Sequence, residues 1–228
     1  MHGFLPSILE GALVTITVAL CSLAIAAMLG LAGAAMKLSK NKLVKALATV
    51  YTTVIRGVPD LVLMLLIFYG GQMAINELAP KFGYADYVDV NPFVAGVLTI
   101  GFIFGAYLTE TFRGAIMSIP AGQREAGIAY GMSGRQVFIR ITLPQMVRFA
   151  LPGFANNWLV LVKSTALVSV IGLSDMMNRA GLAAGATHEP FTFYMAVAVL
   201  YLAITSVSVL GLNALERRYS LGVKSVTL

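Results

Sequence analysis

The sequence predicts an all-α integral membrane protein with five transmembrane helices, forming one domain over residues 1–228. Three observations predict it. Hydrophobic residues fill 58% of the 228 positions and charged residues 11%, with a mean hydropathy of +0.84, beyond the roughly 45–50% apolar share of a soluble domain. Long uncharged intervals recur along the chain, and a helix needs about 20 such residues to cross about 30 Å of hydrocarbon. The basic residues gather between alternate pairs of those intervals, as they do in cytoplasmic loops.

The first span is predicted over Gly11 to Met36, where no residue is charged. Its flank Met1-His2-Gly3-Phe4 lacks a Lys or Arg, and its apolar run exceeds the roughly 7–15 residues of a signal-peptide core, so it reads as a retained helix. The second span lies between Asp60 and Glu77, as Leu61 to Asn76, or from Val58 if one carboxylate is taken in near the headgroups. The third runs from Pro92 to Thr109, bounded by Asp89 and Glu110. The fourth, Phe149 to Leu173, is interrupted only by Lys163, and the fifth covers Phe191 to Leu215.

All of the 16 basic residues except Lys81, Lys163 and Arg179 follow the first, third or fifth span. That asymmetry places the N-terminus outside and the C-terminus in the cytoplasm. It also accounts for the net charge of +6 without a nucleic-acid partner, because the cations flank spans instead of clustering on a soluble domain.

Cys21 is the one cysteine, which excludes an intrachain disulfide or a thiolate cluster, and within an apolar span it reads as a small buried hydrophobe. His2 and His188 lack metal-ligand spacing and read as outer loop residues. No G-x-x-x-x-G-K-[ST] loop, G-x-S-x-G elbow or H-E-x-x-H pair occurs, so the chain has no phosphate-cradling route to ATP hydrolysis and no constellation for a hydrolase. The outer segment Glu77 to Asn91 is too short for a solute receptor, so both energy and solute capture would come from partners.

The longest polar interval, Glu110 to Arg148, carries a basic and small-residue stretch in which Ala126, Ala129 and Tyr130 share a helical face. Pro120 and Gly122 punctuate its start, with Ser118 a turn or cap residue. The residues alone support an amphipathic helix lying along the membrane face.

Within it, Glu125-Ala126-Gly127, Gly131 and Ile141-x-Leu143-Pro144 stand at a spacing that resembles the signature loop of bacterial ABC importer membrane subunits. Arg56-Gly57-Val58-Pro59, Glu110-Thr111-Phe112-Arg113-Gly114-Ala115, Lys163-Ser164-Thr165-Ala166-Leu167 and Glu216-Arg217-Arg218-Tyr219 resemble the polar-amino-acid branch of that family in the same order. The run from Arg56 to Tyr69 is most similar to a permease of histidine and lysine/arginine/ornithine import. The resemblance implies a type I importer transmembrane domain, with a coupling loop over about 118–144 whose short helix enters a cleft of a separate ATPase. In that reading Glu125 lies near the start of the helix, Gly131 takes the positive φ of the following turn, and Pro144 ends the second helical piece and redirects the chain into the fourth span. Gly127 departs from the family's usual Ala.

The resemblance also implies partners: an ABC ATPase dimer that uses ATP and Mg, a second permease (another copy or a homologue), and a periplasmic amino-acid-binding protein. This chain would hold no cofactor or metal of its own, and its place would be the bacterial inner membrane. A solute path is sought in the fourth span, since polar groups in lipid face a bundle interior or a wet cavity. Asn156, Asn157, Lys163, Ser164 and Thr165 are its candidates. Either Asn would bond a solute or tie neighbouring helices, the tie being slightly favoured. Lys163 would bind a substrate carboxylate, pair with a partner's carboxylate, or snorkel to the outer interface. Gly101-x-x-x-Gly105 suits close helix contact.

The leading function is thus a permease subunit of an ATP-driven amino-acid importer, basic amino acids by resemblance. A stand-alone channel or secondary carrier ranks second, for want of a carboxylate well inside a span, and a membrane enzyme third, for want of a site.

Overall fold

A computed structural model of the chain describes residues 3–83 and 86–220, so His2 and Lys224 lie outside the described residues. Among these the chain is helical, without strands. Nine α-helices follow in order: α1 Leu5–Lys37, α2 Lys42–Gly57, α3 Asp60–Leu78, α4 Pro92–Met117, α5 Ala121–Ala129, α6 Gly134–Val137, α7 Leu143–Ser164, α8 Met176–Thr187 and α9 Pro190–Ser220.

Among the described residues, five helical runs are long and apolar enough to cross a membrane: Leu5–Lys37, Asp60–Phe82, Pro92–Met117, Gly134–Ile171 and Pro190–Tyr219. Each begins or ends beyond its predicted limits. Charged residues overrun the bilayer on a helix without breaking it, as Glu110 and Arg113 do at adjacent turns of α4, where they pair at 2.9 Å.

α4 is the centre of the bundle, with Ile100, Ile103, Phe104, Ala106 and Leu108 almost fully buried. It packs against α1, α7, α2 and α3. The α1–α4 contact is close because small residues line it. A Cβ on Gly101 would lie 2.7 Å from Ile25 Cγ2, and one on Gly33 would lie 2.2 Å from Thr109 Oγ1. Such distances forbid any larger residue without parting the helices, and they bear out the close contact read from Gly101-x-x-x-Gly105. Ser22 Oγ adds a bond across the same seam to the Val97 carbonyl, 3.2 Å.

Cys21 corrects one expectation, because it is exposed. On α1 the positions turned to the bundle are Thr15, Val18, Ala19, Ser22 and Ala26, and residue 21 falls on the opposite face, where lipid is an adequate apolar surrounding.

Two helices have no counterpart in the sequence-based expectation. α2 is capped by the Asn41 side chain, which accepts from Leu43 N at 2.9 Å, and it buries Ala48, Thr52 and Ile55. α8 is capped by Asp175, whose Oδ1 accepts from Asn178 N at 2.9 Å. It ends at His188, a non-glycine residue at φ 58°, so that residue closes a helix besides being exposed. Arg179 ties α8 to the start of α1, donating from Nη1 to Glu10 Oε2 at 2.8 Å and to the Ser7 carbonyl at 3.1 Å. At the same end, Gln72 and Asn76 fasten the segment before α4, with Val90 N donating to Gln72 Oε1 and Val88 N to Asn76 Oδ1, both at 2.8 Å.

Candidate coupling segment and solute path

The polar interval between α4 and α7 is a built structure. Ser118 closes α4, its Oγ donating to the Gly114 carbonyl at 2.9 Å, and Pro120 opens α5 as an N-cap without side-chain bonds. α5 then ends in a Schellman motif: Met132 N donates to the Gly127 carbonyl at 3.0 Å and Gly131 N to the Ile128 carbonyl at 2.9 Å. That motif needs a left-handed residue after the helix, and Gly131 supplies it at φ 80°. A Cβ there would meet nothing within 4 Å, so the demand for glycine is conformational and not steric.

Two residues on, Ser133 and Gln136 form a capping box. Gln136 Oε1 accepts from Ser133 N at 2.8 Å, and Ser133 Oγ accepts from Gln136 N at 3.4 Å. This arrangement satisfies the free amides at the start of α6 from both sides. α6 continues through a π-turn, Phe138–Thr142, into α7, giving one helical run over Gly134–Ile171.

Pro144 therefore does not end a helical piece. It sits in the first turn of α7, beside the π-turn whose i→i+5 bond runs from Leu143 N to the Phe138 carbonyl. A wide turn frees a carbonyl where proline offers no N–H, which is why the helix passes through without a break. Beside it, Gln145 Nε2 donates to the Ile141 carbonyl at 3.1 Å.

Of the predicted coupling residues, Glu125, Ala126 and Pro144 are exposed, Ile141 and Leu143 half-buried, and Gly127 buried. Gly127 faces Ile141 and Val137, where its missing Cβ would lie 2.6 Å and 3.2 Å from their side-chain carbons. α5 is thus seated on the root of the long fourth helix. Outward from that seat stand apolar side chains left uncovered by the described residues, Ile128 at 61% and Tyr130 at 89% exposure.

The solute-path candidates are not brought together. Asn157 Nδ2 donates to Thr111 Oγ1 at 2.9 Å and to the Gly153 carbonyl at 2.8 Å, so it bonds α7 to α4, while Asn156 is exposed. Thr165 is buried, donates to the Val162 carbonyl at 2.7 Å and stands 3.4 Å from the Tyr201 hydroxyl of α9. Ser164, half-buried, ends α7. Lys163 is exposed and lines a cleft of about 550 Å³ with Leu159, Leu202, Thr205 and Ser206.

A second polar recess went unnoticed in the sequence. Thr52, Thr53 and Arg56 of α2 face Tyr107 and Glu110 of α4 and Lys37 of α1 across about 420 Å³. The signal was present in the 3–4 spacing of Thr49, Thr52, Thr53 and Arg56, once α2 is recognised as a helix.

Residues 24–221 match the profile of the family described as "Binding-protein-dependent transport system inner membrane component". Over the full length of both chains the protein is 53% identical to the histidine/lysine/arginine/ornithine transport system permease protein HisQ of Escherichia coli. It is 41% identical to the arginine ABC transporter permease protein ArtQ of Haemophilus influenzae, over 95% of each chain. A crystal structure of an amino acid ABC transporter with histidines superposes at a TM-score of 0.81, with 31% identity over 96% of each chain.

Proposed function

Because this chain belongs to the family of inner membrane components of binding-protein-dependent transport systems, we propose that it is the permease subunit through which an ATP-driven importer passes basic amino acids, coupled to its ATPase by α5. It is a multi-pass membrane permease of the amino-acid ABC class. The substrate class is supported by the relatives named for histidine, lysine, arginine and ornithine.

One observation carries the coupling assignment: α5 is a short helix closed by its own Schellman turn, and its buried Gly127 rests on Val137 and Ile141 of the fourth helical run. A load applied to the exposed Ile128 and Tyr130 reaches the membrane through that seat and a helix without a break. The partner supplying the load is an ABC ATPase dimer holding ATP and Mg between its own subunits. A second permease, another copy or a homologue, completes the path, and a periplasmic amino-acid-binding protein delivers the solute.

The end of the bundle with α5 faces the cytoplasm in this reading, since Lys37, Lys40, Lys42, Lys45, Arg124, Arg135 and Arg140 gather there, as basic residues do on the cytoplasmic side. Asn156, Lys163 and Ser164 remain the path candidates of the fourth span, with Lys163 and its cleft toward α9 the most exposed to a polar solute.

The test is uptake and copurification with Gly131→Asp. Wild-type chain, extracted in mild detergent, is expected to bring down a P-loop ATPase and to support uptake of labelled arginine. The variant, still inserted, is expected to lose both. Normal uptake by Gly131→Asp would remove α5 from the coupling path, and a chain that purifies alone after cross-linking would favour a self-sufficient carrier.

A further inference from the structure

The geometry points to a binding site for an anionic phospholipid headgroup in a basic niche at the junction of α1, α2 and α4. The niche, about 390 Å³, is lined by Lys37, Ser39, Lys45, Thr49, Arg113 and Met117. Its charge is unbalanced. Glu110 is the one carboxylate paired there, with one oxygen accepting from Lys37 and the other, at 2.9 Å, from Arg113. Two cations thus share one anion, and Lys45 adds a third positive charge with no ion pair among the described residues.

Donors remain free in the niche as well as charge. The Lys37 ammonium has three protons and one side-chain acceptor among the described residues. Ser39 Oγ accepts from Asn41 N at 3.2 Å, so its own proton can be offered to a guest. Ammonium, guanidinium and hydroxyl donors around one recess suit an anion with several oxygens, and a phosphodiester is the common one at this depth.

The surroundings select a lipid over a dissolved anion. Lys37 is the last residue of α1, directly after the uncharged stretch that crosses the bilayer, so the niche lies at headgroup level. Beside it, α2 presents an exposed apolar stripe, Leu43, Leu47, Val50 and Val54, spaced four, three and four apart on one face. Met117 at the rim is 62% exposed. Headgroup donors inside and an apolar track leading away match the two ends of a phospholipid, whereas free phosphate would use only the first.

The test is native mass spectrometry of the full chain, with whatever subunits accompany it, in mild detergent titrated with phosphatidylglycerol or with phosphatidylcholine of equal chain length. Phosphatidylglycerol is expected to be retained preferentially, and Lys45→Gln to weaken it about fivefold, the usual effect of one lysine at an anionic surface. Lys45 is exposed and has no ion pair among the described residues, so the variant keeps the fold, and Lys45→Arg is expected to restore retention. Lys81→Gln, at the opposite end of the bundle, is expected to change nothing. Equal retention of the two lipids, equal losses in Lys45→Gln and Lys81→Gln, or displacement by millimolar inorganic phosphate would each overturn the assignment. None of these outcomes depends on whether α5 docks an ATPase.

Discussion

Gly127 of α5 and Ile141 of the π-turn are in contact at a distance that leaves no ordinary room for a methyl group between them, 2.6 Å from an added Cβ to Ile141 Cδ1. The atom in the way is the far end of a flexible side chain, so the contact can adjust to a small residue but not to a branched one. Gly127→Ala is expected to retain amino-acid uptake within about twofold, the rotation of Ile141 being offset by a gain in helix propensity of up to about 1 kcal/mol. Gly127→Val is expected to lose uptake, and Ile141→Ala in the same chain to recover it. Uptake by Gly127→Val equal to wild type would mean that α5 is not seated through this contact.

The triad of Lys37, Glu110 and Arg113 fastens α1 to α4, with the Lys37 and Glu110 side chains 12% and 18% exposed. Removing one charge from such a cluster leaves the others desolvated, at a cost of about 3 kcal/mol. Glu110→Gln is expected to lower the melting temperature in detergent. Lys37→Gln with Glu110→Gln should cost less than the two single changes added together, because neither charge is then left without the other. Strict additivity would show that the pair contributes nothing between them.

Much of this architecture was legible because the bilayer imposes it. Five spans, their order and the close seam at Gly101 follow from apolar length and small-residue spacing, which lipid makes nearly obligatory. The left-handed turn at Gly131 was legible through the family resemblance, and glycine is the residue that takes that φ without penalty. What stayed hidden depends on partners distant in sequence. The exposure of Cys21 is set by which face of α1 meets α4, and Pro144 looked like a stop because a proline signals a missing bond without saying that a π-turn will absorb it. α2 was obscured by its lysines, which suggest a loop until Ala48, Thr52 and Ile55 are seen as its inward face. Of the solute-path residues, sequence could name polar groups in a span but not the neighbour each would meet, as Asn157 meets Thr111.

The burial of Asp175 sets the sign of a pH dependence. Its side chain is fully buried, Oδ1 caps α8 while Oδ2 has no partner among the described residues, and desolvation pushes its pKa up to about 6 from 3.8. A carboxyl whose pKa is raised on folding binds its proton more tightly in the native state. Its contribution is therefore largest below the unfolded value and declines as pH rises from about 4 to about 6. Asp175→Asn keeps the capping oxygen and removes the charge. It is expected to raise the melting temperature at pH 7.5 and to flatten the pH profile between 4 and 6, whereas Asp175→Ala loses the cap and gains less. A steeper decline in the Asn variant would reverse the sign.

Asn157 and Lys163 lie on the same helix and divide two roles that the sequence left joined. Asn157 spends its amide on Thr111 and its own helix, so Asn157→Ala is expected to cost about 1 kcal/mol of stability and to leave the KM of uptake unchanged, with Thr111→Val adding little on top. Lys163 faces the cleft toward Thr205 and Ser206, and a cation there attracts a substrate carboxylate while repelling a cationic side chain. Lys163→Gln is expected to raise the KM for arginine and histidine alike, because both share the carboxylate, with stability unaltered. A change in KM from Asn157→Ala and none from Lys163→Gln would exchange the two assignments and move the solute path from the α9 side of the helix to the α4 side.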